Sequence, residues 1–161
     1  MRMSNSAKAL FLAAALVFVT PCGASSQACP TETGSKDGDV PFGATVCSPD
    51  KKLQAKETDP RNMGRILILD AKGTTIRQIQ VGEVANPLKG LAFSPDSRLL
   101  ACMYHHDGPN ANYVALYEVG TGTLKTRIAL AEPYNHMRFN SDGKAITLRA
   151  KDGRTHQVVI Q

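Results

Sequence analysis

The chain has 161 residues and a formal net charge of +5, from 19 Lys and Arg against 14 Asp and Glu. The basic residues are scattered among acids, without a basic stripe carrying interleaved aromatics, so a nucleic-acid groove is not expected. The length fits one repeat domain behind a short processed segment, and the four cysteines raise the question of compartment.

Arg2 and Lys8 precede an uncharged apolar run from Ala9 to Val19, followed by Thr20-Pro21 and small residues through Ala28. Basic, apolar and small-residue segments in this order read as a secretory signal peptide over 1–28. The apolar run has 11 residues, against about 20 for a membrane span, so no transmembrane span is expected in the mature chain. Cleavage near Ala28 predicts a periplasmic or secreted protein, and lipidation at Cys22 or Cys29 is the rival expectation. In an oxidising compartment, a Cys29–Cys47 disulfide would tie the polar leader, 29–41, to the first strand. Cys102, inside a strand, reads as a small buried hydrophobe.

From residue 42 to 161 the chain repeats itself. Cys47-Ser48-Pro49-Asp50, Phe93-Ser94-Pro95-Asp96 and Phe139-Asn140-Ser141-Asp142 follow one plan, and each step between their aspartates is 46 residues. A period of this length marks a stacked or radial array in which each unit buries its apolar face on the next. Ser at the first position, Pro at the second and Asp at the third make a turn. Apolar runs flank it in two copies, Leu91–Phe93 with Leu99–Met103 and Met137–Phe139 with Ala145–Leu148, so each copy is a hairpin. In the first copy Lys52-Leu53-Gln54-Ala55-Lys56 puts polar side chains where Leu100 and Cys102 stand in the second. That strand is expected to be weak, displaced in register, or at an edge.

Further runs of β-branched and aromatic residues follow at Arg65–Leu69, Tyr113–Val119 and Thr155–Ile160. In the first two units, turns at Ala71-Lys72-Gly73-Thr74 and Gly120-Thr121-Gly122-Thr123 lead into fourth strands, Thr75–Val81 and Leu124–Leu130. The units are about 42–86, 87–133 and 134–161. Four short antiparallel strands per period, with an aromatic-Ser-Pro-Asp turn, resemble the blades of WD-repeat and TolB-type β-propellers. No Trp-Asp dipeptide is present, which favours the TolB-like variety. The resemblance implies an all-β array of about three four-stranded antiparallel blades, the last lacking a strand. Closed propellers have about four to eight blades, so this chain is not expected to close as a monomer.

Blade topology places the loops between second and third strands on one face with the connections between blades, and the Asp-marked turns on the other. The loop face is therefore the expected ligand or partner face, with Arg61, Asn62, His105, His106, Asp107, Tyr134, His136 and Arg154 as its candidates. A metal site using His105 or His106, Asp107 and His136 is the sharpest chemical reading of this face; the spacing supports it only weakly, so no metal and no cofactor is assigned. No nucleophile-elbow or zinc-helix pattern occurs, and no catalytic residue is assigned.

The third unit lacks its fourth strand, so Gln157, Val158, Val159, Ile160 and Gln161 are expected to form an exposed edge. Through it the chain would add a strand from a partner protein or a copy of itself. The expected function is an exported, non-enzymatic protein-interaction or ligand-binding module. The alternatives are an incomplete repeat protein acting only in assembly, or a metal-binding or hydrolase-like site on the loop face.

Overall fold

The computed structural model describes residue 29 and residues 45–58, 64–81, 88–105 and 111–160. The segments 1–28 and 30–44, with Arg61, Asn62, His106, Asp107 and Gln161, lie outside the described residues. Strands β1 (Thr45–Cys47), β2 (Leu53–Glu57), β3 (Arg65–Asp70) and β4 (Thr75–Gln80) form the first sheet. The second contains β5 (Gly90–Phe93), β6 (Leu99–His105), β7 (Asn112–Glu118) and β8 (Leu124–Leu130). The third contains β9 (His136–Phe139), β10 (Ala145–Arg149) and β11 (Thr155–Val159).

All strand pairs are antiparallel and join neighbours in sequence. Short hairpins suffice for such pairs, whereas parallel strands would need long crossovers. The first strand of the second sheet, β5, touches both β1 and β9. The sheets therefore meet along their first strands, as propeller blades do, and the array is all-β and not closed.

Side chains alternate between the two faces of each strand, and that alternation builds two apolar layers. Between the first and second sheets, Val46, Ala55, Ile66, Ile68 and Ile79 meet Leu91, Phe93, Leu100, Cys102 and Tyr117. Between the second and third, Ala101, Met103, Val114 and Leu116 meet Met137, Ile146 and Leu148. Burying each large aliphatic side chain stabilises by about 1.5–3 kcal/mol relative to exposure. The middle sheet is the common wall of both layers, so β6 is buried on every residue from Leu100 to Tyr104.

β2 is neither displaced nor at an edge. It lies between β1 and β3, and Ala55 faces Val46 as Ala101 faces Ala92 in the next sheet. Its polar residues Gln54 and Lys56 occupy the face turned away from the second sheet, where they remain half-buried and exposed. The same logic places Cys47. At its equivalent positions, Phe93 and Phe139 pack into the layers behind their sheets. Cys47 has no sheet behind it among the described residues, and it is joined instead to Cys29 by a disulfide.

The first two of the repeated turns share one set of side-chain bonds. Ser48 and Ser94 are buried; each hydroxyl donates to the aspartate two residues on, at 2.6 Å, and accepts from the Leu five residues on, at 2.9 Å. The next residue is left-handed in all three copies: Lys51 at φ 59°, Ser97 at φ 62° and Gly143 at φ 70°. Only the third copy supplies the residue type that adopts this conformation without strain. Neighbouring turns touch, with the Ser97 hydroxyl 3.4 Å from Asp50 Oδ1.

Candidate functional site

At the end of the sheets opposite the Ser-Asp turns, two bridges join described residues of neighbouring segments. Leu88, after the first connection, donates its backbone N–H to Glu57 at 3.1 Å, at the end of β2. Arg154, in the β10–β11 turn, donates to both oxygens of Glu132 in the second connection, at 3.1 and 2.7 Å.

The second bridge is the centre of a polar cluster. The Arg154 Nε also donates to Asp152 at 2.6 Å, and Tyr134 donates its hydroxyl to Glu132 at 3.2 Å. The Tyr134 ring stacks on His156 with centroids 6.2 Å apart. Burial, and then the bond to Glu132, push the Tyr134 phenol up, while Arg154 depresses the Asp152 carboxyl. A bidentate guanidinium–carboxylate fork is a stiff, directional pair. It clamps the β10–β11 turn to the connection before β9.

Tyr134 and Arg154 are thus brought together through Glu132. Two further candidates lie in β6 and β9. His105 ends β6, its Nδ1 lying 3.1 Å from Asn112 Oδ1 across the mouth of the β6–β7 loop. His136 opens β9 in the third sheet, opposite Arg149. Arg61, Asn62, His106 and Asp107 fall outside the described residues, and with them half of the metal-ligand set. Among the described residues, no three His, Cys, Asp or Glu side chains converge.

Glu57 is a residue that strand patterning did not single out. It is 2% exposed and faces the first apolar layer. Burial raises its carboxyl above the usual range, against the pull of backbone donors at Leu88 and Gly64. Its bonds hold the end of β2 to Leu88 and Gly64, a tie within the scaffold. Cys102, free and fully buried, has its thiol pushed well up by desolvation, which suppresses thiolate reactivity. Asp50 and Asp96 are held below the usual carboxylate range chiefly by Ser48 and Ser94.

At the C-terminal side of the third sheet, β11 pairs with β10 alone among the described residues. Ala150 N–H donates to Arg154 and Ile160 N–H to Lys144, which fixes the alternation of the ladder. Residues 156 and 158 turn their backbone groups toward β10, and Thr155, Gln157 and Val159 turn theirs outward. Val159 is 69% exposed. Gln161 lies outside the described residues.

Hollows open on the array among the described residues. One, of about 280 Å³, lies at the turn end of the inner strands and is lined by Pro49, Phe93, Pro95, Phe139 and Ser141 among others. Another, of about 210 Å³, lies on the outward face of the third sheet. Among the described residues, no helix is long and apolar enough to cross a membrane.

No family model matches the chain, and no curated protein matches it. Solved structures do. Hydrazine synthase of Kuenenia stuttgartiensis superposes with a TM-score of 0.53 at 19% identity, over 65% of this chain and 30% of that one. A chain of the mitotic checkpoint complex gives 0.56 at 16% identity, over 72% and 35%. Hsv2 of Kluyveromyces lactis gives 0.57 at 15% identity, over 73% and 37%. These neighbours have β-propeller or WD40-type folds, and this chain spans about a third of each. The likeness is one of fold: the chain is built as a run of propeller-type blades.

Proposed function

We propose that this chain is an exported, non-enzymatic protein-interaction module of TolB-like blades, which pairs with a partner strand through β11. The observation that carries this reading is the outward edge of Thr155, Gln157 and Val159, whose backbone groups have no described strand beside them. Such an edge offers alternate N–H and C=O groups to an extended segment of a partner or a second copy. Export is supported by the Cys29–Cys47 disulfide, a bond that persists in oxidising compartments. The absence of Trp favours TolB-like over strict WD repeats. The Ser-Asp pairs, the residues that most resemble reactive groups, are engaged within their turns, which supports a scaffold without chemistry there.

Solution mass of the full-length chain across a concentration series tests the edge. Gln157→Pro removes an outward N–H while leaving the bonds to β10 in place. The expected result is concentration-dependent self-association, or capture of a partner strand, that this variant abolishes without loss of the cooperative melt. A monomer whose Thr155, Gln157 and Val159 amides exchange slowly would overturn the proposal.

A further inference from the structure

We infer that the outward face of the third sheet is a binding site for an oxyanion, a phosphoryl or carboxylate group on a small molecule. The face is read from the ladder. Arg138 stands opposite Thr147, and Arg149 stands opposite both His136 and Thr155. Side chains that are paired across strands point to one face, so Arg138, Thr147, Arg149, His136 and Thr155 share it. They line the hollow of about 210 Å³.

Three features make this face a receptor for negative charge. Every charged side chain that the described strands place on it is an arginine, and no carboxylate shares it. Neither arginine forms an ion pair among the described residues, although Arg154 near the loop end is held by two carboxylates. The two arginines are diagonal neighbours, one strand over and two residues along, a separation of roughly 7–8 Å. From that backbone spacing, side chains as long as arginine can close on a single oxyanion from two sides, and each guanidinium fork suits bidentate bonding to phosphate or carboxylate.

The period shows that this is a departure. At the positions equivalent to Thr147 and Arg149, the middle sheet has Ala101 and Met103, both packed in an apolar layer. A polar outer face is expected where no further sheet covers it. Scattered polarity would meet that need; paired arginines around a concavity supply a direction as well. The Thr147 hydroxyl donates to Asn140 at 2.7 Å, so the donors left for a ligand are the two guanidinium groups and the Thr155 hydroxyl. The hollow is smaller than the 300–1,000 Å³ of typical drug-sized pockets, which points to an oxyanion on a small molecule.

This inference does not rest on strand addition at β11, and its variants leave that edge untouched. The full-length protein is titrated with inorganic phosphate and separately with succinate, each against sodium chloride at matched ionic strength, while amide resonances are followed. Saturable shifts are expected around residues 136–138, 147–149 and 155, weakened at least tenfold in an Arg138→Gln/Arg149→Gln double variant. Saturation by phosphate alone assigns a phosphoryl ligand, and by succinate alone a carboxylate. If the double variant fails to fold, Arg149→Lys, which keeps the charge and loses the fork, is expected to weaken binding several-fold. Shifts no larger than those with chloride, shifts confined to the Glu132–Arg154 cluster, or variants that bind like the parent protein would overturn the site.

Discussion

β2 and β6 hold the same place in their sheets, each between a first and a third strand, and Leu53–Glu57 correspond to Leu99–Met103 of the longer β6. β6 is apolar on both faces and β2 on one. Leu100 and Cys102 are fully buried, while Gln54 and Lys56 at the matching positions are half-buried and exposed. The backbone ladders are alike, so hydrogen bonding within the sheet does not set this difference. What lies above each face does: β6 has a sheet on either side, and β2 has one sheet among the described residues.

The strongest way to break this comparison is to give β6 the residue that β2 carries. Leu100→Gln would place an amide in the first apolar layer without a partner and remove an aliphatic side chain that is 0% exposed. The expected cost is about 3–5 kcal/mol, joining lost burial to an unsatisfied amide. Urea denaturation measures it. A loss under about 1 kcal/mol would mean that this layer admits water, contrary to the burial that separates β6 from β2.

The repeated turns sharpen the comparison at an intermediate scale, because there the units differ in residue type and agree in backbone. Gly143→Ala should destabilise by about 1 kcal/mol through the left-handed conformation alone. The added Cβ would meet Pro95 Cδ at 3.5 Å, an ordinary contact that leaves no clash to confuse the result. Ser97→Gly should go the other way by roughly 0.5 kcal/mol, a relief of strain partly offset by glycine's larger unfolded-state entropy. Thermal melts of the two variants should move in opposite directions. If both fall, the contact from Ser97 to Asp50 matters more than the backbone.

The strands were legible from the sequence because the 46-residue step fixes where each hairpin turns, and two-residue alternation fixes which side chains share a face. The step does not say which faces are covered. Lys56 and Cys102 look like a mismatch in one pattern until the first sheet is seen to lie behind Cys102, while no described sheet lies behind Lys56. The same blindness hid Arg138 and Arg149, whose equivalents inside the array are apolar. A loop-face grouping was legible from blade topology, and Tyr134 and Arg154 do meet there through Glu132. The meeting itself depends on side-chain reach between residues 22 apart, and no periodicity encodes it. Glu57 escaped notice because a charged residue at a strand end reads as solvated, whereas one of its backbone donors, Leu88, stands 31 residues on.

The smallest expected effect is the most discriminating. Gln54→Leu gives β2 the residue of β6, and its neighbours on that face are Cys47 and Leu69, which flank it on either strand. If the face is open to water, the added aliphatic surface stays partly hydrated and stability should change by no more than about 0.5 kcal/mol. If something covers the face, a buried Leu in place of an amide should add about 1.5 kcal/mol or more. The disulfide at Cys47 makes this a sharp alternative, because it fixes Cys29 beside the same strand. Paired with Leu100→Gln, the measurement separates two accounts of the difference between β2 and β6. A large loss in one and a near-zero change in the other locates the cause in the neighbouring sheets. Large effects of opposite sign in both would mean that β2 also has a cover, and its polar residues would then need partners of their own.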